Sequence, residues 1–246
     1  MPHASPPPTP VPQSAAADQP KPMPFAIMRN AHEALRASIR IQEHALDSGD
    51  TAAFRAEWRT LTRAIAVHMA MEDDAVFGLL DEVGAGAITA ANLPHEHVED
   101  ARLAAAVDAT LGSDDVSALR SAWSVWKDDH LHHLAHEEAV MVPLTMKTAP
   151  TPEARARVVH ERVLLPSERL PDFDWYIGWV VRMLSEHGSI EQPANVATRV
   201  FAWGLQHACS PAQWHRLRPI VQSNCSPAIW AELTNRFGLA GDGPIV

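Results

Sequence analysis

Residues 68–80 read HMAMEDDAVFGLL and residues 133–144 read HLAHEEAVMVPL. In each stretch a histidine stands four residues before a glutamate, as His68–Glu72 and His133–Glu137. On a helix that spacing stacks both side chains on one face, with Cβ atoms about 6 Å apart. The same face runs on into apolar residues, so both pairs are expected to point into a core. Isolated ionisable groups are costly there, and buried ones are normally paired or bound to metal. A carboxylate can bridge two ions while the imidazole holds one. A single such pair is commonly a surface pair; two on core stripes suit a polar core layer or, better, a metal site.

Outward from these stretches the chain divides into four helical segments. They cover residues 25–46, 51–82, 94–112 and 116–146, separated by Asp47-Ser-Gly-Asp, by Gly84 and Gly86, and by Gly112 to Asp115. Asp50 or Thr51 is the expected cap of the second, and Pro94 suits the first turn of the third. Only Pro94 interrupts the stretch between Phe25 and Val142, as long helices require. Short connections make neighbouring helices antiparallel, so the expected fold is all-α: an up-down antiparallel four-helix bundle with a C-terminal helical extension.

Each segment carries an ionisable group on its apolar stripe. The first gives Phe25, Met28, His32, Leu35, Ile39 and Leu46; the second runs from Phe54 and Trp58 through His68 and Glu72 to Leu79. The third gives Leu93, His97, Ala101, Ala104, Val107 and Leu111; the fourth runs from Leu119 and Trp126 through His130, His133 and Glu137 to Leu144.

The chain has 246 residues, 46% of them hydrophobic and 20% charged, enough for a sizeable core. A net charge of −10 argues against general affinity for nucleic acid or anionic membranes, and no apolar run approaches the length of a membrane span. The N-terminus lacks the basic flank and apolar run of a signal peptide, so a cytoplasmic location is expected. Residues 1–24 hold nine of the 20 prolines and read as a disordered tail. Residues 25–147 form the bundle, and residues 148–246 form a helical region of unassigned role with five of the eight tryptophans. That region repeats Cys209-Ser-Pro-Ala-Gln-Trp214 as Cys225-Ser-Pro-Ala-Ile-Trp230, read as two similar short helices with a Ser cap and a Pro in the first turn. A metal site or disulfide using both cysteines is the alternative.

The segments AHEALRASI (31–39), HMAMEDDAVFGLL, PHEHVEDARL (94–103) and HLAHEEAVMVPL resemble the hemerythrin-like (HHE) cation-binding domain, a four-helix bundle around a non-haem di-iron centre. The second and fourth follow that family's H-x-x-x-E-E/D-x-x-apolar pattern, and Pro143 stands where the family has a proline. The resemblance covers residues 25–147, and residues 150–220 resemble the Pro/Trp-containing helical tail of many bacterial relatives. It implies His32, His68, Glu72, His97, His133 and Glu137 as metal ligands, with Glu72 and Glu137 bridging. The cofactor it implies is two Fe ions, oxo- or hydroxo-bridged; by ligand chemistry alone manganese or zinc would also suit. Oxygen-carrying relatives place a second histidine four residues after the third-helix histidine, where this chain has Ala101, and an Asp five after the fourth-helix one, where this chain has Glu137 at four and Glu138 at five. Both departures resemble the four-histidine bacterial subgroup, which includes iron–sulfur cluster repair proteins.

Other residues compete for these roles. His95 lies about 200° around the helix from His97 and is expected at the surface. His132 and His136 form a separate stripe, solvated or behind the ligands. His130, one turn before His133, is a supporting group or an extra ligand. Glu33, Glu138, Asp73 and Asp74 are expected around the site or on the surface, and Tyr176, His187, His207 and His215 as structural residues. If the histidines divide two and two, each iron keeps one open position, which suits a small diatomic ligand or peroxide. The functions expected are therefore binding or transformation of O2, NO or peroxide; a non-enzymatic iron or oxygen sensor acting through the C-terminal helices; or oxidation of an organic substrate in a pocket those helices shape.

Overall fold

The computed structural model describes residues 26–188 and 193–238; the expected N-terminal tail and Phe25 lie outside them. Among the described residues there is no strand. Helix α1 spans Ile27–Asp47 and α2 spans Thr51–Met71, capped by the Asp50 carboxylate, which accepts from the Ala53 amide at 2.9 Å. The expected second helix does not continue as regular α-helix: a π turn, Glu72–Val76, joins α2 to α3, Phe77–Gly84. A π turn takes one extra residue into the helical ladder, which apolar periodicity alone does not reveal. The short α4 (Ala87–Ala90) crosses to α5 (Leu93–Thr110), and α6 runs unbroken over Val116–Thr148 with Pro143 inside it.

Polar pairs between these helices join early residues of one to late residues of the next. Ser38 bonds Glu57 while His32 meets His68; Arg120 pairs with Asp47 while Glu138 meets His32; His130 bonds Asp100 while His133 meets Glu96. Each of these neighbouring pairs is thereby antiparallel.

Beyond the bundle, α7 (Pro152–Val159) leads through a second π turn (His160–Leu164) into the short α8 (Leu165–Ser167). Then come α9 (Phe173–His187), α10 (Ala194–Ala208), α11 (Pro211–Asn224) and α12 (Pro227–Phe237). Helix α9 packs on α1 and α2, and α10 on α1. One apolar cluster consequently runs from Leu35, Trp58 and Trp126 in the bundle to Trp179, Phe201 and Trp214 beyond it. A second, smaller cluster of Phe77, Leu80, Ile88, Leu93 and Met141 closes the other end of the bundle. The ionisable layer lies between these two apolar masses.

The repeated hexapeptides form the starts of α11 and α12: Ser210 and Ser226 accept from the Gln213 and Ile229 amides, with a proline in each first turn. Neither cysteine is in a disulfide, and burial pushes both thiols up to about 12. The stripe of α5 differs from expectation. Leu93, His97 and Val107 are buried as expected, but between them Ala101 is exposed and Asp100 and Leu103 are buried instead.

Candidate metal centre

His32 on α1, His68 on α2, Glu72 in the π turn, His97 on α5, and His133 and Glu137 on α6 meet in the bundle interior, and none is more than 5% exposed. All six expected ligands are therefore brought together. Their ligand atoms form two groups: His32, His68, Glu72 and Glu137, and His97, His133 and Glu137. The histidines divide two and two, and Glu137 belongs to both.

The facing atoms are close without being bonded. His68 Nε2 lies 3.4 Å from Glu72 Oε2, His133 Nε2 and His97 Nε2 each lie 3.4 Å from Glu137 Oε1, and His32 Nε2 lies 3.5 Å from Glu137 Oε2. Glu72 also reaches across, 3.6 Å from His97 Nε2 and 3.9 Å from His32 Nε2. Ligand atoms each about 2.0–2.2 Å from a shared ion stand roughly 3.0–3.5 Å apart, so these spacings fit atoms gathered around cations. The four Nε2 atoms and all four Glu72 and Glu137 oxygens are shielded from solvent with no hydrogen-bond partner among the described residues. Leaving so many buried polar atoms unpaired would cost on the order of 1–3 kcal/mol each, and a metal removes that cost. The residues present thus fit a dinuclear metal site.

The outward nitrogens explain why the inner ones are free. His32 Nδ1 donates to Glu138 Oε1 at 3.0 Å, His97 Nδ1 to Asp73 Oδ1 at 3.0 Å, and His133 Nδ1 to Glu96 Oε2 at 2.9 Å. A carboxylate accepts only, so each Nδ1 keeps its proton, and the neutral ring that a metal requires would present its Nε2 lone pair inward, the arrangement that orients imidazole ligands. His68 differs: its Nδ1 faces the Tyr176 hydroxyl at 3.3 Å. Arg36 Nη1 donates to Glu138 at 2.7 Å and to Glu33 at 2.9 Å, holding the support of His32 in place.

The charge balance without an ion is uneven. Burial disfavours the charged form of His32, but Glu138, Glu72 and Glu137 outweigh it and raise its pKa to about 9. His97 is likewise raised to about 9, against burial, by Glu137, Glu72 and Asp73. Burial and the neighbouring histidines push His68 well below its usual range. Burial and Glu137 push Glu72 up to about 7, while the surrounding histidines, His97 first, hold Glu137 down despite its burial.

His130 stays outside the two groups. It is buried, its Nδ1 donates to Asp100 Oδ1 at 2.7 Å, and it stacks on Trp126 at 5.0 Å. His95 and His132 are exposed, and His136 shares Glu96 with His133. Asp73 and Glu138 support ligands, whereas Asp74 pairs with Arg169 at the surface. His207 bonds the Trp203 carbonyl and His187 lies beside Glu186, both away from the site. Sequence reasoning did not single out Glu96 or Asp100 and took Tyr176 as structural. No local pattern marks them, because each meets its histidine from another helix.

A helical bundle with six convergent imidazoles and carboxylates in its dry interior defines a metal-binding domain. The sequence profile of the hemerythrin HHE cation-binding domain matches residues 23–145, half of the chain, and the chain belongs to that family. Comparison with curated proteins and with solved structures gave no match. No helix among the described residues is long and apolar enough to cross a membrane.

Proposed function

We propose that this chain is a four-histidine, non-haem di-iron protein that binds and transforms O2, NO or peroxide. The observation that carries this reading is the even division of the histidines around a shared Glu137, with Glu72 reaching both groups. Two carboxylates and four imidazoles without a thiolate suit a redox-active pair of iron ions. Two such ions would supply electrons and adjacent open positions to one small molecule or two. The protein's own part is orientation and exclusion. Glu138, Asp73 and Glu96 fix three imidazoles, and the clusters around Trp126 and Phe77 keep bulk water from the layer between them. Helix α5 supplies one histidine, His97, to the centre, and Ala101 four residues on is exposed. The unpaired cysteines suit the reducing cytoplasm as the setting.

The test is to mix the reduced, iron-loaded protein with NO or peroxide under multiple-turnover conditions. Consumption of many equivalents per chain is expected. A single equivalent taken up and released unchanged would favour a carrier or a sensor.

A further inference from the structure

An aliphatic cavity of about 610 Å³ lies between the bundle and the C-terminal helices, and the metal-centre reading assigns it no role. Its wall is built from α1, α2, α3, α6, α7, α9, α10 and both π turns, with side chains such as Ile27, Met71, Val142, Val159, Ile177 and Phe201. Val142 and Met146 are 41% and 48% exposed and mark its mouth; His68, Glu72 and Tyr176 line its buried end. The volume is about four times the ~150 Å³ that accommodates a benzene-sized guest, and within the range of small-molecule sites. A wall so apolar offers water few partners, so the space suits a hydrocarbon chain.

The polar groups on the wall define the head of such a guest. Arg155 is held in place: its Nη1 donates to the Ala149 and Pro150 carbonyls at 2.9 and 3.0 Å. Its Nε is shielded from solvent and has no acceptor among the described residues. A buried guanidinium N–H without an acceptor is costly, and a planar carboxylate is its natural complement. Arg29 lies on the same wall but has a partner of its own, so the head group is assigned to Arg155 alone. Of the carboxylates near Arg155 and on the cavity wall, Glu138 is already engaged by Arg36 and His32, Glu153 is exposed and screened by solvent, and Glu72 lies at the buried end, so an anion at Arg155 is opposed weakly.

We propose that this cavity binds an aliphatic monocarboxylic acid, with its head at Arg155 and its chain along the apolar wall toward Glu72 and His68. That the chain end then lies beside a di-iron centre, as an organic co-substrate, rests on the function proposed above; the binding site itself does not.

The test is calorimetric titration of the purified full-length chain with dodecanoate, dodecan-1-ol and dodecylamine, with metal content measured on the same sample. One dodecanoate per chain is expected, with the amine at least about tenfold weaker, since one charge-assisted hydrogen bond is worth roughly that factor. Arg155→Gln is expected to weaken dodecanoate about tenfold while leaving dodecan-1-ol unchanged. Val142→Trp, at the exposed mouth, is expected to weaken all three without lowering the thermal midpoint. No uptake, equal binding of acid and amine, or unchanged binding by Val142→Trp would overturn the proposal. Uptake by a chain that holds no metal even when produced with ample iron would uphold the cavity and remove the di-iron reading; two metals without uptake would do the reverse.

Discussion

The Tyr176 hydroxyl lies 3.3 Å from His68 Nδ1, and the two rings are stacked at 6.4 Å between centroids. Three of the four inward-facing imidazoles rest on carboxylates from the bundle itself, whereas His68 rests on a phenol carried by α9. The C-terminal helices therefore complete the support of the site, and His68 has the least electron-rich partner. Burial together with Glu72 and Glu137 raises the Tyr176 phenol far above its usual range, so it stays neutral.

Tyr176→Phe is expected to keep the fold and both metals but to bind them more weakly. Loss of such a supporting bond costs about 10- to 100-fold in affinity, and the neutral phenol places this variant at the lower end. Asp73→Ala, at a charged partner, is expected to cost more. Competition titration against a chelator measures both; equal affinity of Tyr176→Phe and the parent chain would show that the contact carries nothing.

On α6, His132 is exposed and His133 is buried with its Nε2 facing Glu137. His133→Ala is expected to lose metal, and His132→Ala to retain nearly all of it. Metal content by elemental analysis decides; equal losses or the reverse order would contradict the site.

Glu137→Gln is expected to be the most damaging single change, because Glu137 alone belongs to both ligand groups. A neutral amide removes one of the charges that balance the cations and bridges poorly. Glu72→Gln removes the other and is expected to follow closely. Two metals retained by Glu137→Gln would remove its bridging role.

The pH dependence of stability is expected to reverse with metal content. In the metal-free chain the folded state raises His32 and His97 from 6.5 to about 9, so it holds their protons more tightly than the unfolded chain does. That contribution is fully present below pH 6.5 and is lost as pH rises through about 9. Glu72, raised to about 7, acts in the same direction. The loaded chain behaves oppositely, since its ligands bind metal only when deprotonated and acid releases the ions. Thermal midpoints across this range, with and without a chelator, check both slopes. A chelated protein that gains stability toward pH 9 would contradict the charge balance of the site.

The helices and the six convergent residues were legible in the sequence because they follow one rule: a helix that buries a stripe shows it at spacings of three and four. His68–Glu72 and His133–Glu137 obey that rule within a single turn, so local spacing sufficed. The supports of the histidines do not. Glu96 and His133 stand on facing helices, and Tyr176 is 108 residues from His68, so their meeting depends on how helices pack. The stripe of α5 was misplaced at Ala101 for a related reason: small residues occur on both of its faces, and only packing against α6 selects Asp100 and Leu103. The π turn at Glu72 is a backbone event inside an otherwise regular apolar pattern. The cavity is an emergent space between two halves of the chain, and no short segment encodes it.

The most direct test of the metal centre is iron counted per chain, by elemental analysis of protein produced with ample iron. Two ions per chain are expected, falling to none or one in Glu137→Gln. A parent chain that carries one ion or none would contradict the dinuclear site.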